Sequence, residues 1–290
     1  MKVLNFGSLN IDYVYSVDST VKPGETIRVN DRQVFCGGKG LNQSIALANA
    51  AADVYHAGLI GQDGTMLLDA LGKAGVNTSL VRMVEGGSSH AIIQVDRSGQ
   101  NSILFYPGDN LKVTGDFIDD VLSKFEKGDY LLLQNEVDNT QLIIKMGHEK
   151  GLKVVFNPSP IQESIKNYPL HLVDIFVLNE IEGSMLSGRN EPEEILYSMM
   201  NLYPDAHIVL TLGEKGALYG YKGQKIFQLA YKAQAVDTTA AGDTFTGFFL
   251  AAFIKGNEVK EALDLAARAA AICVSRKGAA PSIPKLSELV

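Results

Sequence analysis

Short apolar runs alternate with segments of helical periodicity along most of the chain. Buried strands are predicted where consecutive positions are mostly apolar, at residues 3–6, 54–59, 80–84, 130–133, 153–156, 175–178 and 207–212. Helices are predicted at residues 42–52, 66–74, 140–149, 193–202, 242–254 and 259–274. Apolar strands separated by helices are typical of a parallel sheet covered on both faces. The pattern therefore predicts an α/β fold.

Two stretches, residues 26–35 and 90–105, lack helical periodicity and favour β residues. The second predicts a hairpin whose strands, residues 91–95 and 102–105, are joined through a polar turn. Strands inserted in this way would form a small second sheet over the carboxyl ends of the main strands, where open α/β sheets bind ligands. An edge hairpin without such a role is the alternative.

Composition narrows the class of protein. The chain has 290 residues and a net charge of −7, which disfavours a general nucleic-acid binder. Its two cysteines, Cys36 and Cys273, form no C-x-x-C pattern, so neither a disulfide framework nor a zinc site is expected. No apolar stretch approaches the ~20 residues that span a bilayer. We expect a cytoplasmic protein with neither a membrane nor a nucleic acid as its partner.

The segment from Asp237 to Phe245 combines small residues with a helix start. The amides of Ala240, Ala241 and Gly242 would have no intrahelical partner there, and the helix dipole is positive, which suits a phosphate. Asp243, in the same turn, is then a candidate general base for a hydroxyl that attacks phosphorus. A simple helix cap is the alternative function of Asp243.

A glycine-rich turn at residues 37–42 opens another helix. It fails the Walker A spacing and the dinucleotide fingerprint, which disfavours an NAD-dependent oxidoreductase. Lys39 and Asn42 could bind a polyhydroxylated ligand there, although a tight strand-to-helix turn is the alternative. Asn10 and Asp12 follow the first strand and suit vicinal hydroxyls, unless Asp12 is only a turn residue.

Taken together, these segments resemble the ribokinase-like, or PfkB, family of carbohydrate kinases. The resemblance covers nearly the whole chain, from residue 7 to residue 284. Its two specific motifs are residues 37–42 and 237–245. Weaker matches reinforce it at residues 23–26, 179–182, 211–216 and 276–282.

The resemblance implies a fold and an activity. The fold is a three-layer α/β/α sandwich with a mainly parallel central sheet, in a single domain of residues 1–290. A small β lid, built from segments near 12–36 and 88–107, would pair with the lid of a second subunit. The activity is ATP-dependent phosphorylation of a primary hydroxyl of a small carbohydrate, with ribose the expected acceptor and ribose 5-phosphate the product. Another sugar, a nucleoside, or a catalytically silent regulator that binds sugar or nucleotide are the alternatives.

Roles for single residues also follow from the resemblance. Asp243 would be the catalytic base, with the amides of Ala240, Ala241 and Gly242 as the anion hole. The implied sugar contacts are Asn10, Asp12, Gly38, Lys39, Gly40, Asn42 and Glu136. The implied ATP contacts are Asn179, Thr211, Gly213, Gly216 and Gly242. Glu182 would hold Mg²⁺ through water, and K⁺ would lie among Asp237, Thr239, Cys273, Arg276, Gly278 and Ser282, bound mostly by backbone carbonyls.

The chain departs from the family pattern in three places. Residues 88–91 read Ser-Ser-His-Ala where Thr-Gly-Val-Ala is usual, and Asp109 replaces an alanine. Both changes lie near the expected sugar pocket. His90 would be a sugar contact or a surface residue of the lid. Ala267 takes the place of a histidine that some members have near the adenine.

Overall fold

The structure, a computed structural model, describes residues 1–289. The strands are β1 (Val3–Phe6), β2 (Asn10–Ser16), β3 (Asp31–Gly37), β4 (Val54–Ile60), β5 (Asn77–Met83), β6 (Ser89–Val95), β7 (Asn101–Tyr106), β8 (Tyr130–Gln134), β9 (Lys153–Asn157), β10 (Ile175–Asn179), β11 (His207–Thr211), β12 (Ala217–Tyr221) and β13 (Gln224–Gln228). The helices are α1 (Lys39–Asn49), α2 (Thr65–Ala74), α3 (Gly115–Leu122), α4 (Thr140–Lys150), α5 (Glu180–Ser187), α6 (Pro192–Leu202), α7 (Ala241–Ile254) and α8 (Val259–Val274). Within this range no helix has both the length and the apolar character needed to cross a bilayer.

The large sheet has nine strands in the order β13-β12-β11-β10-β9-β8-β1-β4-β5. From β11 to β5 all neighbouring strands run parallel, whereas β12 and β13 form an antiparallel hairpin at the β11 edge. The predicted strands are confirmed, with small shifts at their ends. The sequence pattern missed the edge hairpin and two short helices, α3 and α5.

Alternation along the strands creates two cores, one on each face of the sheet. In β1, Val3 packs into the core formed with α1, α2, α7 and α8. Its neighbours Leu4 and Phe6 point the other way, into the core formed with α3, α4 and α6. Because both faces are covered, the strands between the edge strands β13 and β5 are largely buried and mainly apolar. The predicted three-layer α/β/α sandwich with a mainly parallel sheet is confirmed.

A separate sheet has the strand order β3-β2-β6-β7. The predicted hairpin is present as β6 and β7, which pair in an antiparallel register from His90–Tyr106 to Val95–Asn101. β2 runs parallel to β6 and antiparallel to β3. The β-rich stretch at residues 26–35 becomes a strand only from Asp31 onward. These four strands lie in the two chain segments from which the lid was expected.

Two glycines allow α1 to approach its neighbours unusually closely. A Cβ on Gly247 of α7 would lie 2.4 Å from Ala46 Cβ and 2.8 Å from the Leu47 nitrogen, both in α1. A Cβ on Gly40, at the start of α1, would lie 2.4 Å from the Ser8 nitrogen, beyond the end of β1. Side chains at either position would therefore separate backbones that are now in contact.

We predict that Gly247→Ala destabilises the protein by ~1–3 kcal/mol, because the added methyl group must push α7 away from α1. Gly72→Ala is the matched control, since Gly72 lies in α2 and a Cβ there meets nothing within 4 Å. This control should gain ~0.5–1 kcal/mol from the higher helix propensity of alanine. Urea unfolding measures both variants, and equal stability of the two would contradict the close contact.

Candidate active site

Two cavities open at the carboxyl ends of the large sheet's strands. The first has a volume of about 460 Å³ and is lined by strand ends, by the start of α1 and by the small sheet. Ala91 and Ile93 of β6 and Ile103 of β7 contribute the wall from the small sheet. The predicted site residues that line this cavity are Asn10, Asp12, Gly38, Lys39, Asn42, Glu136, Asn179, Glu182, Thr211, Thr239, Ala240, Gly242 and Asp243.

The second cavity, of about 710 Å³, lies on the other side of the turn that precedes α7. Gly213 and Gly216, for which nucleotide contacts were predicted, line this cavity together with Tyr231 and the alanine-rich face of α8. Thr238 lines both cavities, Ala240 and Gly242 face the first, and Ala241 faces the second. The turn from Thr238 to Asp243 is therefore the wall that the two cavities share.

This turn contains a strained residue at the start of α7. Ala240 is the N-cap and has a φ of 62°, in the left-handed region that alanine rarely adopts. The Ala241 N–H makes only a long contact, 3.3 Å, with the Thr238 carbonyl. The N-terminal amides of a 14-residue helix thus lie at the boundary of both cavities, a placement that favours an anion there.

Asp243 is buried at this boundary, with only 8 % of its surface exposed. Its Oδ2 accepts a hydrogen bond from Asn42 Nδ2 at 3.0 Å, and its Oδ1 accepts one from Gln43 Nε2 at 2.9 Å. Both donors belong to α1. Asn42 Oδ1 is buried and has no hydrogen-bond partner among the described residues. An unpaired buried acceptor beside a carboxylate, in the lining of a cavity, is suited to a ligand hydroxyl.

Four carboxylates and one lysine are the charged groups that line the first cavity within the described part of the chain: Asp12, Glu136, Glu182, Asp243 and Lys39. Burial opposes the charge of Lys39, but the surrounding carboxylates outweigh it and raise the pKa of its ammonium. Burial raises the pKa of Asp12 to about 6, with a contribution from the nearby Glu136 carboxylate. Burial also raises the pKa of Glu136, although Lys39 opposes this.

Glu136 anchors the start of α1 to the cavity. Its Oε2 accepts hydrogen bonds from the Ser8 hydroxyl and, at 2.9 Å, from the Lys39 backbone N–H. Asn10 is held in the same region, because its Oδ1 accepts from Asn110 Nδ2 at 2.8 Å. Amide, carboxylate and ammonium groups thus converge on one small polar cavity, an arrangement that fits a polyhydroxylated ligand.

Comparison with known proteins agrees with this geometry. The model of the pfkB family carbohydrate kinases matches residues 1–286. The chain belongs to the PfkB family of carbohydrate kinases. It is 34 % identical to a ribokinase of Staphylococcus aureus over 299 residues, covering 99 % of this chain and 98 % of the relative.

Two further similar proteins are named as kinases of different sugars. A deoxyribokinase of Salmonella typhi is 31 % identical over 297 residues, covering 99 % of this chain and 97 % of that protein. The solved structure of Arabidopsis thaliana ribokinase complexed with ribose and ATP superposes with a TM-score of 0.86. It is 32 % identical, and the match covers 99 % of this chain and 96 % of that one. This chain is thus a sugar kinase, a phosphotransferase of the PfkB type.

Glu182 fits the expected Mg²⁺ ligand of a PfkB kinase. It is buried in the wall of the first cavity, and burial raises the pKa of its carboxyl group. Its oxygens accept hydrogen bonds from the backbone and side-chain nitrogens of Asn179, both at 2.9 Å, in a capping box that begins α5. Within residues 1–289 no cluster of three or more His, Cys, Asp and Glu side chains could hold a metal ion. Mg²⁺ commonly binds through one or two carboxylates, waters and substrate phosphates.

The residues expected around K⁺ come from the shared turn and the residue before it, and from the end of α8 and the segment that follows it. Asp237 accepts hydrogen bonds from the Thr239 N–H, the Thr239 hydroxyl and the Gly278 N–H, at 2.9, 2.6 and 2.9 Å. Cys273 Sγ lies 3.0 Å from Ser282 Oγ and 3.6 Å from the Thr239 carbonyl. These carboxylate, hydroxyl and carbonyl oxygens are donors that hard cations prefer. The side chain of Arg276 is instead paired with Glu288 at 2.5 Å.

The remaining predicted residues do not line the cavities. Gly40 lies buried against Ser8, where it serves the close approach of α1. His90 packs between Tyr13 and Tyr106, with ring centroids 5.9 and 5.0 Å away. Because its neighbours Ala91 and Ile93 line the cavity, alternation along β6 places His90 near the opposite face. Asp109 is buried and paired with Lys112 at 2.8 Å.

The sequence did not single out Gln43 or Asn110, although both contact predicted site residues. Gln43 follows Asn42 directly, but one more polar residue in a helix start that is already polar carries no local motif. Asn110 stands within the Gly-Asp-Asn segment that drew attention to Asp109. In both cases the sequence shows only a polar side chain next to a motif residue. The contact that this side chain makes is visible only in the tertiary structure.

Proposed function

We propose that this protein transfers the γ-phosphoryl group of ATP to the primary hydroxyl of ribose, forming ribose 5-phosphate. The observation that carries the proposal is the turn from Thr238 to Asp243. This turn separates a polar cavity from a larger cavity lined by Gly213 and Gly216, and it presents Asp243 and helix amides at their boundary. The names of the similar proteins support ribose as the acceptor. The use of ATP favours a cytoplasmic location.

The first cavity has the groups that a sugar needs. Asp12 and Asn10 are placed to bind vicinal hydroxyls, and Asn42 Oδ1 is a free acceptor next to Asp243. Lys39 and Glu136 add a donor and an acceptor, while Gly38 allows the backbone to approach the ligand. A primary hydroxyl bound between Asn42 and Asp243 would lie at the shared wall, the position from which it can reach a phosphate.

The second cavity is the proposed site of the nucleotide. Gly213 and Gly216 present backbone groups at its edge, and the face of α8 around Ala267 provides apolar surface for a base. From there the triphosphate would extend past Thr211 and Asn179 toward the start of α7. The amides of Ala240, Ala241 and Gly242 are then placed to stabilise the negative charge on the transferring group.

The chemistry follows from this arrangement. The sugar oxygen forms a bond to the γ-phosphorus while the bond from that phosphorus to the β-phosphate oxygen breaks, releasing ADP. The proton of the sugar hydroxyl passes to the carboxylate of Asp243. Amides at the start of α7, together with Lys39, stabilise the charge that develops on the phosphoryl oxygens. The small sheet, acting as a lid, would exclude water that otherwise competes with the sugar.

Two cations complete the proposal. Glu182 would hold Mg²⁺ through water, and the ion, when bound, neutralises phosphate charge in a cavity already lined by four carboxylates. The K⁺ ion would be surrounded mostly by backbone carbonyls, from Asp237, Thr239, Cys273, Arg276, Gly278 and Ser282. Their task in this chain is to fix the turn whose amides face the phosphate, as the hydrogen bonds of Asp237 already do.

We predict that Asp243→Asn lowers kcat by ~10²-fold or more, because the amide cannot accept the hydroxyl proton. Sugar and ATP binding should change little, since asparagine keeps the size of the side chain. ADP formation with ribose measures turnover, and calorimetry measures binding.

Three other results of these measurements would contradict different parts of the proposal. Near-normal turnover of the variant would remove Asp243 as the base. Faster ADP formation by the wild-type protein with 2-deoxyribose or a nucleoside would change the acceptor but not the mechanism. Binding of ribose and ATP by the wild-type protein without any ADP formation would favour a silent regulator.

We predict that ribose affinity falls as the pH drops below the pKa of Asp12, about 6. Above that pH the carboxylate accepts hydrogen bonds from two hydroxyls, and protonation removes part of this capacity. Titration at pH 7 and pH 5 should show roughly tenfold weaker binding at the lower pH. Asp12→Asn should bind weakly and lose this part of the pH dependence. An identical pH profile for both proteins would contradict the assignment.

We further propose that two copies pair through the small sheet. The edge strand β7 exposes four consecutive large side chains, each more than half exposed: Ile103, Leu104, Phe105 and Tyr106. Isolated proteins rarely leave an apolar edge strand of this kind uncovered.

We predict that Leu104→Glu converts the dimer to a monomer, because it places a charge in this apolar strand. Light scattering measures the change. Ile181→Glu, which changes a 73 % exposed side chain on α5, is the control that should stay dimeric. A monomeric wild-type protein would refute the proposal.

A further inference from the structure

Polar residues cross the large sheet beneath α1. They come from four strands that are adjacent in the sheet order, β9, β8, β1 and β4. In each strand the residue two positions earlier belongs to the core on the α1 side, so alternation directs these polar side chains toward α1. Gln43 and Ser44 of α1 meet them. We call this set the polar seam: Asn157, Gln134, Asn5, His56, Gln43 and Ser44.

Hydrogen bonds connect the seam to Asp243. Gln43 Nε2 donates to Asp243 Oδ1 at 2.9 Å and to Asn157 Oδ1 at 3.0 Å. Gln134 Nε2 donates to Gln43 Oε1 at 2.6 Å and to Asn5 Oδ1 at 2.9 Å. Gln43, Gln134 and Asn5 are completely buried, so these bonds do not compete with water.

The direction of every bond near Asp243 is determined. Both N–H groups of Gln43 are used, and its oxygen accepts from Gln134. A flipped Gln43 amide would place its oxygen against the oxygens of Asp243 and Asn157. Asn5 is fixed in the same way, because its Nδ2 donates to the Gly40 carbonyl at 2.7 Å and to Ser44 Oγ at 2.8 Å. The seam therefore holds Gln43 in one rotamer and one amide orientation.

We propose that Gln43 is a positioning residue for Asp243, and that Gln134 and Asn157 act on Asp243 by holding the amide of Gln43. The inference rests on the proposed role of Asp243 as the base. Buried amides are expensive to leave unpaired, whereas apolar residues of similar shape would cover α1 at little cost in stability. A network that ends on a carboxylate oxygen fixes the position of that oxygen. Such precision matters for a proton acceptor, whose position relative to the donor must be correct to within fractions of an ångström.

The test is a double-mutant cycle on kcat. Gln43→Met keeps the length of the side chain but removes its hydrogen bonds, and should lower kcat by roughly 10²-fold while leaving the KM values for ribose and ATP within about threefold. In the Asp243→Asn background the same substitution should have no further effect on kcat. Equal losses in both backgrounds would show that Gln43 acts independently of Asp243 and would overturn the proposal.

A second variant covers the case in which Gln43→Met does not fold. Gln134→Met lies one hydrogen bond further from Asp243, and should lower kcat by roughly tenfold, again only when Asp243 is present. Tyr219→Phe is the control, because it removes a partly buried hydrogen bond of 2.6 Å between the Tyr219 hydroxyl and His207, in strands β12 and β11 of the same sheet. Its kcat should equal that of the wild-type protein even though its melting temperature falls.

The outcomes separate the two proposals. Normal kcat in Gln43→Met and Gln134→Met, with a large loss in Asp243→Asn, would refute positioning and leave the base in place. Near-normal turnover of Asp243→Asn alone would instead refute the base. A loss of kcat in Tyr219→Phe that matches the loss in Gln134→Met would show that lowered stability alone accounts for the effect.

Discussion

Helices α1 and α7 touch backbone to backbone at Gly247, one turn beyond the point where Asn42 and Gln43 meet Asp243. That contact sets the distance between the two halves of the site, since the glycine-rich turn that holds the sugar groups begins α1 and the anion-binding turn begins α7. The two segments are about two hundred residues apart in sequence. Hydrogen bonds of 2.9–3.0 Å across this junction are possible only because no side chain separates the helices.

The interior around this junction contains buried polar groups and a strained backbone, which lower the stability of the fold but fix the geometry of the site. Burial lowers the pKa of His56 to about 4, so the far end of the polar seam is uncharged at neutral pH. Hydrogen bonds connect the side chains between His56 and Asp243 in a fixed order, and the Gln134 Oε1 atom beside them is buried without a partner among the described residues. Ala240 adds a left-handed backbone at the N-cap of α7. Strain and buried polarity of this kind are typical of sites that must be rigid before the substrate arrives.

The sequence was sufficient for the layered fold and for most of the groups that line the two cavities, because apolar strands, helix starts and small-residue turns are local features. The sequence was less informative where tertiary contacts determine the start of a helix or the partners of a polar side chain. The helix expected from residue 42 begins at Lys39, since packing on Ser8 overrides the low helix propensity of Gly40. Asn5 lies in a predicted strand that is otherwise apolar and Gln134 directly follows another, and nothing local indicates that their side chains lead to Asp243. The helix α3 has a clear apolar face, formed by Phe117, Ile118, Val121 and Leu122, but it was missed because its eight residues are shorter than the window over which helical periodicity is recognised. The edge hairpin β12–β13 carries a weak periodic signal.

The shared wall between the cavities has a thermodynamic consequence. Thr238 contacts both spaces, so a ligand on either side restricts the same few backbone dihedral angles. Any adjustment of this segment that one substrate requires is therefore already made when the other binds. By linkage the assistance is mutual and equal in free energy. Sugar and nucleotide would thus be positively cooperative ligands of one small loop, even though each occupies mainly its own cavity.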